Sequence, residues 1–141
     1  MKSVIVLLCL LLAGPVAAMH VFVEADASHT AVADGPWFDP ATWQPGVPGE
    51  GAIAHIPAGL NVTYAGHSNA GLRGLLIEGQ LHFDPQQSST LWVDTIEVGM
   101  AGELLIGTVA APVRPDALVR IGFTSDTDID IDFDPQLLGR G

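Results

Sequence analysis

The chain contains one cysteine and one lysine, Cys9 and Lys2, and both fall within the first 18 of its 141 residues. Everything after them must therefore be held by packing, because no disulfide and no cysteine-ligated metal is available. Arginine is scarce as well: Arg73, Arg114, Arg120 and Arg140 stand against 16 acidic residues, a side-chain charge of −12 once Lys2 is set aside. Such a chain offers no basic patch for nucleic-acid backbones or anionic membrane surfaces, and it repels acidic polysaccharides. Beyond the N-terminus no stretch of ten residues carries a 3.6-residue apolar period, which leaves little room for helix. A Gly-x-Ser-x-Gly elbow and a glycine-lysine phosphate loop are both missing. Disorder is excluded by composition, since 48% of the residues are hydrophobic.

The N-terminus has the marks of a secretory signal. Lys2 supplies the positive end, Val4 to Leu12 the apolar stretch, and Val16-Ala17-Ala18 the small residues for cleavage after Ala18. The apolar run is shorter than the roughly 20 residues needed to span a bilayer. The expected product is secreted, without stable membrane insertion. It retains residues 19–141, enough for one domain with a substantial core.

What is present is a series of short apolar-alternating segments separated by glycine. His20–Glu24, Ala52–Ile56, Leu60–Tyr64, Leu72–Phe83 (broken near Gly79), Leu91–Val93, Thr95–Val98, Glu103–Gly107 and Leu118–Phe123 read as strands. Ala25–Asp34 and Ala65–Gly71 read as connections. Gly79, Leu81 and Phe83 recur 23 positions later as Gly102, Leu104 and Ile106. That spacing suits one rung of a stacked β coil, in which each turn needs a neighbour to bury its apolar face. The fold class is all-β, either β-helix-like or a compact sandwich-like module. Gly79 and Gly102 are expected at tight bends that tolerate neither a side chain nor a negative φ. Trp92, at the centre of its strand, is expected in the core, where alanine would cost roughly 3–5 kcal/mol.

Between residues 35 and 51 prolines and glycines exclude a regular element, yet the stretch carries Trp37 and Trp43. Two uses suit such rings: covering the open end of a β core, or stacking on a sugar. Trp37, Asp39, Trp43 and Tyr64 are therefore the candidate ligand-binding residues. Asn61-Val62-Thr63 also matches the N-glycosylation acceptor pattern. The histidines His20, His29, His55, His67 and His82 have no metal-ligand spacing, although His55 and His82 lie where rungs of a coil would let them meet. Near the C-terminus, Asp126, Asp128, Asp130 and Asp132 alternate with apolar residues. On a strand they line one face at about 7 Å intervals, so solvent or a hard cation must relieve their repulsion, and calcium is the candidate. No catalytic residue and no other cofactor is expected.

Trp37-x-Asp39-Pro40-x-Thr42-Trp43, Gly46-x-Pro48-x-x-Gly51 and Ile56-Pro57-x-Gly59-x-x-Val62 together resemble the start of the G8 domain, a glycine-rich extracellular family. Leu72-x-x-Leu75-x-Ile77-x-Gly79-x-Leu81-x-Phe83, Ile96-x-Val98 and Gly102-x-Leu104-x-Ile106-Gly107-Thr108 continue the likeness. The resemblance implies a β-rich module for ligand binding or processing, often ahead of a parallel β-helix and sometimes in hyaluronan-handling proteins. It carries over no catalytic residue. The resulting division is a signal peptide (1–18), an N-terminal strand and connection (19–35), a G8-like β domain (36–125), and an acidic tail (126–141) that starts a further rung. The expected function is that of a secreted, non-catalytic module binding or positioning a glycan or an extracellular protein. The alternatives are a truncated N-terminal module of a glycan-processing, hyaluronan-type β-helix enzyme, and a purely structural cap.

Overall fold

The computed structural model describes residues 23–124. The expected signal segment, most of the strand expected at His20–Glu24, and Asp126, Asp128, Asp130 and Asp132 lie outside the described residues. The described chain is a β-solenoid of four turns. Each turn runs through one strand of a six-stranded sheet and then one strand of a four-stranded sheet. The first turn comprises β1 (His29–Ala31) and β2 (Gly35–Pro36), after which β3 (Trp43–Gln44) returns to the first sheet. The second has β4 (Ile53–Ile56) and β5 (Asn61–Tyr64), the third β6 (His67–Ile77) and β7 (Gln80–Phe83), and the fourth β8 (Ser89–Val98) and β9 (Glu103–Ile106). β10 (Val119–Phe123) opens a fifth turn.

The sheet orders are β10-β8-β6-β4-β1-β3 and β2-β5-β7-β9, and every pairing is parallel except that of β3 with β1. Parallel neighbours need a crossover between them. Here the opposite sheet is the crossover, so no helix is required, and the solenoid rather than the sandwich form of the expected all-β fold results.

The 23-residue echo is a structural register. Leu81 pairs with Leu104 and Phe83 with Ile106 across β7 and β9. Inward side chains thus stack in columns, and burial along each column depends on whether a further rung follows. Tyr64 and Phe83 are fully buried, whereas Ile106, next in that column, is 45% exposed. Val93 is buried and its β10 partner Phe123 is 52% exposed. The segment expected as the last core strand is therefore an edge, because its inward row has no further described rung above it.

Several boundaries differ from the sequence reading. Glu24–Asp26 forms a 3₁₀ turn instead of closing a strand. β1 lies inside the segment read as a connection, its three residues being too few to show a period. β6 extends back to His67 through an irregularity between His67 and Gly71, which breaks the alternation that marks a strand. Gly79 and Gly102 do occupy tight corners, but neither has a positive φ. Their constraint is close backbone approach. A Cβ on Gly79 would overlap the carbonyl oxygens of Pro57 and Leu60, and one on Gly102 would overlap the Ile77 carbonyl.

Trp92 departs most from expectation. Burial in β8 alternates strictly from Ser89 to Thr95, with Leu91 and Val93 inward and Trp92 half-buried on the outer face. The two small aliphatic residues win the interior by parity, since a one-residue slip would turn the whole strand inside out.

Gly102→Ala and Gly79→Ala are each expected to destabilise the protein by roughly 1–3 kcal/mol, because backbone must shift to admit the methyl group. Gly49→Ala, where no heavy atom lies within 4 Å of the new carbon, should stay within about 0.5 kcal/mol of the parent. Urea midpoints of the three variants check this.

Candidate functional site

The tryptophan loop leaves β2, folds over the first rung and re-enters the sheet as β3. Proline and threonine chemistry shapes it. Asp39 caps a 3₁₀ turn, Pro40–Thr42, by accepting a hydrogen bond from the Ala41 N–H at 2.9 Å. Buried Thr42 donates its hydroxyl to the Pro36 carbonyl at 2.9 Å, and the Thr42 carbonyl accepts from Val32. Gly35 is required beneath it, since a Cβ there would lie 2.6 Å from the Thr42 hydroxyl oxygen.

These contacts drive both indoles inward. Trp37 and Trp43 are 1% and 3% exposed and meet edge to face, with ring centroids 4.7 Å apart. Trp43 Nε1 donates to the Trp37 carbonyl at 2.8 Å, which satisfies the polar atom that burial would otherwise strand. Trp37 continues to Tyr64 (5.2 Å) and Tyr64 to Phe83 (5.0 Å), so the rings form one column from the end cap into the third rung. Phe38 also packs on Tyr64 but keeps 39% of its surface exposed.

Of the four candidate residues, three therefore have their rings in the core, and Asp39 alone is at the surface, with one carboxylate oxygen engaged in its turn. The loop is a cap with an exposed Phe38–Asp39 shoulder. Tyr64 donates its hydroxyl to the Thr90 carbonyl at 2.8 Å. Burial pushes its pKa up from the ordinary tyrosine value of 10.0, and a backbone hydrogen bond from Ser68 offsets part of the rise.

Trp92 is the remaining indole. It stands between two glycines in register, Gly71 on β6 and Gly122 on β10. A Cβ on Gly122 would lie 2.9 Å from Trp92 Cη2 and overlap Cζ3 and Cε3, so the ring rests directly on the glycine backbone. The sequence signal for this was the strand's own alternation, outweighed by the general preference of tryptophan for cores.

His55 and His82 do not meet, because they belong to different sheets. His55 instead bonds Glu78 (Nε2 to Oε2, 2.8 Å), 23 residues on. The same separation links His67 with Thr90 and Gln80 with Glu103, so the repeat length marks neighbouring side chains as well as strands. His55 is 1% exposed, and its Nδ1 has no hydrogen-bond partner among the described residues. No group of three or more His, Cys, Asp or Glu among the described residues is placed to hold a metal ion. No helix among them is long and apolar enough to cross a membrane.

The profile of one known family, described as the G8 domain, matches residues 42–140. That span begins at the cap and includes the aspartate-rich segment. No curated protein and no solved structure matches the chain.

Trp43→Ala is expected to cost about 3–5 kcal/mol through loss of the end cap, and Tyr64→Phe about 1 kcal/mol through loss of one buried hydrogen bond. The tyrosine also fixes an alkaline limit. Above pH ~10 the unfolded chain releases the phenolic proton while the native protein holds it, so stability falls as pH rises. Chemical unfolding between neutral and alkaline pH should show this slope in the parent and a shallower one in Tyr64→Phe.

Proposed function

Because the chain belongs to the G8 domain family, we propose that it is a secreted, non-catalytic β-solenoid module that binds or positions an extracellular ligand, either a glycan or a partner protein. One observation carries this reading: among the described residues, the two ends of the solenoid differ in how much apolar surface they show. The first rung is sealed by Trp37 and Trp43, while Ile106, Leu118 and Phe123 are 45%, 56% and 52% exposed at the last. Exposed apolar residues on edge strands offer a place where another surface packs. Secretion rests on the signal pattern of residues 1–18.

A glycan is the second ligand class, favoured by the aromatic and polar groups at the surface, with Phe38 and Asp39 on the cap shoulder. Trp37, Trp43 and Tyr64 would serve such a site by holding that shoulder in shape. Calcium enters through Asp126, Asp128, Asp130 and Asp132, whose alternating carboxylates suit a hard cation.

A glycan-array screen of residues 19–141, with and without calcium, tests this reading. Binding that quenches tryptophan fluorescence is the expected result for a carbohydrate module, and dependence on calcium would implicate the aspartates. An array that stays silent on folded protein would remove the glycan arm and leave the partner-protein arm.

A further inference from the structure

The outer face of the six-stranded sheet carries an arrangement that neither the core nor the end cap uses. Most outward positions there are polar, as a solvated face requires, but Trp92 is a large ring in their midst. Cross-strand neighbours on one face stand about 5 Å apart, so side chains at positions 71 and 122 would wall the ring in. Both positions are glycine. The indole therefore lies down on Gly122 instead of standing between neighbours.

The surroundings of the ring are polar and of both signs. Thr90 and Asp94 share its face of β8, two residues to either side. Arg120, exposed on β10, is in register with Thr90. On the Gly71 side, Glu50 accepts the Gly71 N–H at 2.7 Å, and the Thr124 methyl lies 3.5 Å from where a Cβ would be. A flat aromatic floor with hydroxyl, carboxylate and guanidinium groups around it suits a ligand with one apolar face and a rim of hydroxyls.

We propose that this surface, with Trp92 as its floor, binds an uncharged polysaccharide through the flat face of a pyranose ring. The proposal rests on the reading of the chain as a ligand-holding module and names both the ligand class and the place. Uncharged is specified by electrostatics: a side-chain charge of −12 on residues 19–141 opposes a polyanion, and the mixed charges at the rim offer no net attraction to one.

The test is calorimetric and fluorescence titration of residues 19–141 with xylan, cellulose and chitin oligosaccharides, and with a hyaluronan oligosaccharide as the anionic comparator. At least one uncharged oligosaccharide should bind with a shift in tryptophan emission, and more tightly than hyaluronan. Trp92→Ala should weaken that binding by about tenfold or more, the equivalent of 1.4 kcal/mol. Trp92→Phe, which keeps a ring on Gly122, should retain most of the affinity and separates lost contact from lost fold. Binding that survives Trp92→Ala would overturn the site while leaving a glycan module elsewhere on the surface. Hyaluronan binding more tightly than every uncharged sugar would overturn the ligand class. Failure of all oligosaccharides against folded protein would overturn the proposal and leave only the partner-protein arm of the function.

Discussion

The whole structure depends on the fact that a rung of this solenoid cannot cover its own apolar face. Val62, Leu81 and Leu104 are inward residues of successive strands in one sheet, and burial passes from complete in the first two to partial in the third. Each side chain leaves water only because the next rung lies on it, about 4.8 Å away in the hydrogen-bonding direction. Stability is then close to a sum over neighbouring pairs, and the two ends become the places where chemistry must differ.

The two ends solve that problem differently. At the first rung the chain bends back through a proline-rich loop and inserts two indoles, with the Trp43 N–H satisfied by the Trp37 carbonyl. At the last described rung, β10 and β9 keep apolar residues in view. Tyr64 ties neighbouring rungs together: its ring belongs to the aromatic column and its hydroxyl reaches the Thr90 carbonyl, 26 residues on and just over one repeat away.

Much of this was legible in the sequence where the signal was periodic. The 23-residue echo of Gly79, Leu81 and Phe83 predicted the register of β7 against β9, and the alternation of Leu60–Tyr64 predicted the strand that became β5. Short or irregular strands were not legible. β1 has three residues and β6 contains a break, so neither displays a clean period-2 pattern. Trp92 was misplaced because hydrophobic size was weighed above parity. The partner of His55 is Glu78 and not a second histidine, and the pair obeys the same 23-residue spacing, a signal that metal-ligand patterns do not contain.

The antiparallel β3 has one further consequence. A parallel stack can in principle gain rungs at either end, but β3 reverses direction beside β1 and is followed at once by Pro45, which has no N–H to donate. That edge is sterically and chemically terminated. The stack is thus a polar object, like a filament with one blocked end. Because the blocked edge precedes the later rungs in the chain, each of those rungs arrives during synthesis beside an edge that is already made.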